Sequence, residues 1–171
     1  MTVYQPREDS KMLAKAVLEK DLEGKKCLDM GTGTGIIGLK MFHAGAEKVV
    51  SADVNMEAVE EAREKLSEFD SSEVVQSDLF ENIEGGFDLI AFNPPYLPED
   101  EEDVDDEGMW VGGKSGEELT EEFLEQAEKH LNEGGEILFV VSSNSDFEIN
   151  EFEIVDTENL WFEDLYVLKS E

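Results

Sequence analysis

Basic residues are scarce in this 171-residue chain. Thirteen Lys and Arg stand against 44 Asp and Glu, a formal net charge of −31. Proteins that bind nucleic acid normally carry a basic stripe or patch to meet the phosphates, and this composition offers none. Cysteine occurs once, at Cys27, which excludes an internal disulfide. Cys27 falls in an expected core strand and is expected to be a small buried apolar residue. His43 and His130 are the two histidines. Both fall near expected helix ends, are expected at the surface, and form no metal-ligand cluster with other residues. No run approaches the roughly 20 apolar residues of a membrane span. Met1 to Asp9 has no apolar signal segment. The expectation is a cytoplasmic, soluble protein.

What is present suffices for a fold. Apolar residues make up 40% of the chain, enough for one domain over residues 1–171 with a real core. The acids are spread between apolar runs along the whole length, so they are not an acidic tail. They fit either a basic partner or a high-salt cytoplasm that screens self-repulsion. Their even spacing favours the second, a halophilic protein.

Taken in order, the chain alternates strands and helices. Asp9 or Ser10 is placed to cap a helix through Lys20, with Met12, Leu13, Ala16 and Val17 inward. Lys25 to Met30 is a short strand running into Gly31-Thr32-Gly33-Thr34-Gly35, then into the apolar helix Ile36 to Phe42. Strand, glycine turn and helix open a nucleotide-binding βαβ unit. The spacing G-x-G-x-G differs from the dinucleotide G-x-G-x-x-G, and Asp29 precedes the first glycine by two residues. A carboxylate there repels pyrophosphate and suits a cationic ligand with an ammonium and a sulfonium, as in S-adenosylmethionine. Val49 to Asp53 is a second strand ending in an acid about 20 residues past the loop, where a ribose-binding carboxylate is expected. Asn55 then caps a helix with Ala58, Ala62 and Leu66 inward. Glu73 to Phe80 is a third strand and its exit, and carries at the strand's carboxyl end Asp78, placed to accept an adenine amine, and Leu79, placed to cover the ring. In a sheet of order 3-2-1-4-5 this strand is an edge, and Val74 and Val75 invite partner pairing there.

The fourth strand, Phe87 to Phe92, delivers Asn93-Pro94-Pro95-Tyr96 at its carboxyl end, where open α/β sheets bind ligands. The prolines fix φ and remove two donors but keep their carbonyls. Asn93 adds a side-chain carbonyl and Tyr96 a flat aromatic face. A rigid acceptor pair beside a stacking surface suits a planar NH2 group, either an amide or a base amine. Glu117 to Leu131 has helical periodicity, with Gly134-Gly135 after it. Glu136 to Val141 is the fifth strand. Ser142 to Asn150 is too short and polar for a long helix. Phe152 to Val155 and Leu165 to Leu168 are two final strands, the last antiparallel. Trp161 and Phe162, in the connection, are expected in the core, with contact to a partner as the alternative.

This set of residues resembles the class I S-adenosylmethionine-dependent methyltransferases: Asp29-x-Gly31-x-Gly33-x-Gly35, Asp53, Asp78-Leu79 and Asn93-Pro94-Pro95-Tyr96. Within them it is similar to the HemK-type protein glutamine N5-methyltransferases. Tyr4-x-Pro6-x-Glu8-Asp9-Ser10 resembles their N-terminal motif, and Trp110-Val111-Gly112-Gly113-Lys114-Ser115-Gly116 their glycine-rich segment after NPPY. The resemblance covers residues 4–141. It implies a Rossmann-like, doubly wound, mostly parallel seven-stranded α/β sheet with the last strand antiparallel. It implies S-adenosylmethionine held by Ser10, Asp29, Gly31, Gly33, Gly35, Asp53, Asp78, Leu79 and Asn93, and catalysis at Asn93, Pro94, Pro95 and Tyr96. The implied substrate is the glutamine of the Gly-Gly-Gln loop of a class I release factor, as in the single-domain archaeal and eukaryotic branch. The eukaryotic members work with a small zinc-binding activator, for which the edge at Val74 and Val75 is a candidate site.

Methylation of a nucleic-acid amine is the alternative, since adenine N6-methyltransferases share the tetrapeptide. Methylation of another protein and a non-catalytic binding subunit are further alternatives. The acidic run Glu99 to Glu107 either steers a basic substrate or is a solvated loop. Trp110 either packs on the pocket or anchors that loop.

Overall fold

A computed structural model describes residues 2–94 and 116–171. Pro95, Tyr96, the acidic run Glu99 to Glu107 and Trp110 lie outside the described residues. The elements are α1 (Glu8–Leu18), β1 (Lys26–Met30), α2 (Ile36–His43), β2 (Lys48–Asp53), α3 (Met56–Lys65), β3 (Ser72–Gln76), β4 (Phe87–Phe92), α4 (Gly116–Ala127), β5 (Leu131–Ser142), β6 (Glu153–Asn159) and β7 (Asp164–Ser170). They form one seven-stranded sheet of order β3-β2-β1-β4-β5-β7-β6. β1 pairs in parallel with β2 and β4, β2 with β3, and β4 with β5. β7 is antiparallel to both β5 and β6. The expected α/β architecture and strand order are therefore present, with the antiparallel strand inserted between β5 and β6.

Two apolar layers cover the sheet. One joins α1 and α2 to the strands through Met12, Leu13, Val17, Ile37 and Met41. The other carries Phe87, Ile90, Phe92, Phe123 and Phe139. β1, β2 and β4 are buried almost throughout, which is why they appear in the sequence as unbroken apolar runs rather than alternations. Cys27 is buried as expected, and burial pushes its thiol pKa up to about 12. The thiol therefore stays protonated and unreactive at neutral pH.

Several boundaries differ from the sequence expectations. The first helix begins at Glu8 with Arg7 at its cap, so Asp9 and Ser10 sit inside its first turn and are not caps. The third strand does stop short of Asp78 and Leu79, as expected: it ends at Gln76 and they lie in the turn that follows. The fourth helix ends at Ala127, not Leu131, and a short 3-10 turn over Glu128–His130 leads straight into β5. Gly134 and Gly135 then lie within β5 opposite the irregular Phe87/Leu89 register. A Cβ on Gly135 would stand 2.9 Å from the Phe87 carbonyl oxygen, so glycine permits this close strand approach. Between β5 and β6, Phe147 and Phe152 pack on Phe139 at 5.8 and 5.1 Å between ring centroids. This aromatic trio covers the sheet face where a helix would otherwise lie.

Trp161 and Phe162 are not core. They are 95% and 54% exposed in the turn between β6 and β7. Apolarity suggested the core, but a two-strand turn at the sheet's end has no layer above it.

Ion pairing offsets little of the acid. Among the described residues, Lys11, Lys15, Lys20, Lys48 and Lys169 form salt bridges. Self-repulsion therefore dominates the charge balance. The thermal midpoint is expected to rise steadily from low salt to molar potassium chloride. A midpoint that is flat or falls with salt in a melting series would contradict this.

Candidate active site

The site is assembled at the carboxyl ends of β1, β2 and β4. The loop between β1 and α2 holds Gly31, Gly33 and Gly35 at φ values of 64°, 52° and 79°, a region that L side chains adopt at a cost. Gly35 occupies the N-cap of α2 and has no side chain to satisfy the helix's first amides. Asp29 does so instead, reaching up from β1. Its Oδ2 accepts from the Gly38 backbone N–H at 3.0 Å and from Thr32 Oγ1 at 2.6 Å. Gly38 has to be glycine-like here: a Cβ would lie 2.8 Å from Ser51 Oγ.

Asp29 is 2% exposed, so it lies beneath the loop rather than on it. Burial raises its pKa to about 7; the bonds from Thr32 and Gly38 pull the other way, and nearby Asp53 adds to the rise. Asp53, at the end of β2, ties the loop from the side. Its Oδ2 accepts from Gly33 N at 2.9 Å and its Oδ1 from Asn55 N at 2.9 Å. Burial raises the Asp53 pKa against these bonds. Asn55 caps α3 through Glu57 N, as expected.

Asp78 is exposed in the turn after β3. Leu79 beside it has a positive φ of 44°, a strained conformation for a branched-chain residue. Buried Ser77 holds it there: the Ser77 hydroxyl donates to the Leu79 carbonyl at 2.7 Å and accepts from Asn82 N at 3.0 Å.

Asn93 follows β4 directly. Its Nδ2 donates to Asp9 Oδ2 at 3.1 Å and to Ser10 Oγ at 3.3 Å. Asp9 is only 2% exposed, and it also accepts from Tyr4 OH at 2.8 Å and from Ser10 N at 2.6 Å. Burial and the Asp9 carboxylate together raise the Tyr4 pKa. A carboxylate only accepts, so the NH2 end of the Asn93 amide faces Asp9 and the carbonyl end is turned away. That oxygen, Asn93 Oδ1, is buried and has no hydrogen-bond partner among the described residues.

The fold thus brings Ser10, Asp29, the three loop glycines, Asp53 and Asn93 to one end of the sheet, with Asp78 and Leu79 on the β3 side. The N-terminal motif gives Tyr4 no role, and local spacing makes Asp9 only a candidate helix cap. Their part is set by a contact 84 residues away in sequence, and the only earlier signal was the motif itself.

A mostly parallel sheet with an acid-rimmed glycine loop and a strand-end Asn-Pro defines a class I methyltransferase. The chain belongs to the methyltransferase small domain family, which matches residues 7–157. A "putative protein N5-glutamine methyltransferase" of Methanocaldococcus jannaschii is 40% identical over 82% of this chain and 73% of its own length. The release factor glutamine methyltransferase of Aquifex aeolicus is 35% identical over 78% of this chain but only 52% of its own length. The E. cuniculi Mtq2–Trm112 complex, responsible for methylation of the eRF1 termination factor, superposes with a TM-score of 0.72 at 28% identity. It covers 100% of this chain and 99% of that one. Bacterial ribosomal RNA small subunit methyltransferases C are also relatives, and the chain spans 36% of their length.

The Asp29 pKa has a consequence for stability. From an ordinary value of 3.8 it rises to about 7 in the folded chain. Between those values the folded state holds a proton that the unfolded state has lost, so this contribution is full below about pH 4 and is lost as pH rises through about 7. Urea unfolding of the unaltered chain and Asp29→Asn across pH 4–7 isolates it from the other carboxylates. The stability of the unaltered chain relative to the variant should fall as pH rises, and a pH-independent difference would count against a shifted Asp29.

Proposed function

We propose that this enzyme transfers the methyl of S-adenosylmethionine to the side-chain amide nitrogen of the glutamine in the Gly-Gly-Gln loop of a class I release factor. The observation that carries this is the buried Asn93 Oδ1, without a partner among the described residues and held in orientation by Asp9 and Ser10. An unmet buried acceptor is costly unless a donor arrives, and an amide NH2 is such a donor. The name of the Methanocaldococcus jannaschii relative supports a glutamine acceptor, and that of the Mtq2–Trm112 neighbour supports a termination factor as substrate.

The residues fit the cofactor. Its cationic sulfonium and ammonium suit an acid-rimmed cleft, and the positive-φ glycines allow close backbone approach. In this reading Asp53 takes the ribose hydroxyls, and Asp78 with Leu79 holds the adenine. Gly31, Gly33, Gly35, Ser10 and Asn93 line the rest of the cleft. Asp29 acts from beneath, fixing the loop through Thr32 and Gly38. When bound, the cofactor supplies an electrophilic methyl on sulfur, so the chain needs no nucleophile of its own.

The acceptor is the difficulty, because an amide nitrogen shares its lone pair with its carbonyl. Asn93 Oδ1 and the Pro94 carbonyl accept from the amide NH2, orienting the nitrogen and favouring positive charge on it. Pro95 stiffens the turn and Tyr96 stacks on the amide plane; both roles come from the motif. Asp9 positions Asn93, and Tyr4 OH holds Asp9.

The ribosomal RNA relatives favour a second reading, methylation of a base amine. The net charge of −31 weighs against it. By likeness to the Mtq2–Trm112 complex, a small zinc-binding activator is proposed to dock on the edge strand β3 near Val74 and Val75. There Arg63 Nη2 already donates to the Val74 carbonyl at 3.0 Å.

Transfer from labelled cofactor, in molar potassium chloride, is expected to a release factor with Gly-Gly-Gln and not to one with that glutamine replaced. Label on neither, with label on ribosomal RNA, would replace the proposal with the second reading. Asn93→Ala should lose at least about 10²-fold in kcat, by analogy with loss of one positioned hydrogen bond in a transition state, while still binding cofactor. Asp53→Ala should weaken cofactor binding roughly 10- to 100-fold, from about 1.5–3 kcal/mol for hydrogen bonds to a charged group. An unchanged Kd would remove Asp53 from the ribose. Val74→Ser with Val75→Ser should abolish co-purification of the activator; retention would move the docking site elsewhere.

A further inference from the structure

Trp161 and Phe162 have no role in the fold or in the site. They stand 95% and 54% exposed, edge to face, with ring centroids 5.2 Å apart. The turn that carries them is well fastened. Leu160 N donates to the Glu163 carbonyl at 2.8 Å, and Asn159 Nδ2 to Asp164 Oδ1 at 2.8 Å. Ser143 N donates to the Asp164 carbonyl at 2.8 Å, and Asp164 N donates to Ser143 Oγ at 2.9 Å. The Ser142 hydroxyl donates to the Glu163 carboxylate. The turn is therefore pinned to the carboxyl end of β5.

That end of β5 is the ligand end of the sheet, because β5 runs parallel to β4. Phe92 lies opposite Phe139, and Ser142 lies opposite Leu165. β5 thus continues three residues past the level of Phe92, about 10 Å at roughly 3.3 Å per residue. The turn sits two to three strand spacings to the side, roughly 10–14 Å. The aromatic pair stands on the rim around Asn93, rigidly presented.

The turn and the strands that carry it are acidic, although Lys15 of α1 pairs with Asp156 on β6. From Leu131 through Leu168 the sequence has ten Asp and Glu and no Lys or Arg. Glu158, Glu163 and Asp164 flank the rings, and no ion pair among the described residues involves them. Two exposed aromatic faces among carboxylates make a receptor for Arg or Lys side chains, through cation–π contact and charge-assisted hydrogen bonds. A second copy of this chain does not fit, since it carries the same charge of −31.

We propose that the Trp161–Phe162 turn docks a cationic segment of the protein that presents the acceptor amide, placing that protein over Asn93. The proposal rests on the release-factor reading above. Both side chains point into solvent, so replacing them leaves the fold intact, which an unchanged thermal midpoint verifies.

Methyl transfer to the intact release factor is measured for the unaltered chain, for Trp161→Ser with Phe162→Ser, and for Trp161→Lys with Phe162→Lys. The serine pair should raise the KM for the factor about tenfold, leaving kcat within about twofold and the cofactor Kd unchanged. The lysine pair should raise KM further by repelling the cationic segment. An unchanged KM in the serine pair, or a fall in kcat alone, overturns the docking role. A lower KM in the lysine pair overturns the cationic partner. If the unaltered chain transfers nothing to the factor, the substrate reading fails and takes this proposal with it. That outcome differs from the others in being seen before any variant is made.

Discussion

The ligand end of this protein depends on one buried carboxylate. Asp29 leaves β1, crosses under the glycine loop and satisfies an amide in the first turn of α2, while also holding Thr32. Gly35, at the N-cap, cannot do this itself. The chain needs glycine there to turn and an acceptor to begin the helix, and no single residue provides both. Asp29 separates the two tasks by supplying the acceptor from a neighbouring strand. The cost is desolvation, visible in its raised pKa. The gain is a loop fixed in shape before any ligand arrives, and Asp53 repeats the device from β2 through Gly33.

A second constraint comes from outside the βαβ frame. Asn93 is set by α1 and the segment before it, not by its own sheet neighbours. Asp9 collects donors from Tyr4, Ser10 and Asn93, and because it can only accept, it fixes which end of the Asn93 amide is left unpaired among the described residues. Amide rotation is otherwise nearly free of preference, since oxygen and nitrogen are similar in size. A carboxylate partner removes that ambiguity at little steric cost. The strained Leu79 belongs to the same pattern: Ser77 holds a backbone conformation that the residue would not adopt alone.

Much of this was legible in the sequence. The apolar runs at β1, β2 and β4 marked buried parallel strands, because such strands show as unbroken runs; the strand order came with the doubly wound fold that the motifs imply. Other features were hidden for physical reasons. Gly134-Gly135 looked like a helix stop, and only the nearness of the Phe87 carbonyl shows why a strand needs them. Asp9 looked like a cap, because local spacing does not reveal a bond to Asn93. Trp161 and Phe162 looked like core, since apolarity says nothing about whether a layer lies above. Whether Asp29 touches ligand or only the loop was likewise beyond the reach of spacing.

The bond between Asp9 and Asn93 joins residues 84 apart. Closing so long a loop costs entropy that is recovered only once neighbouring strands are in place. α1 must pack on the sheet and β4 must pair with β1 before the Asn93 amide has anything to hold it. The acceptor geometry is therefore among the last things the chain acquires. A partly folded molecule can therefore hold a finished glycine loop while its Asn93 amide still rotates.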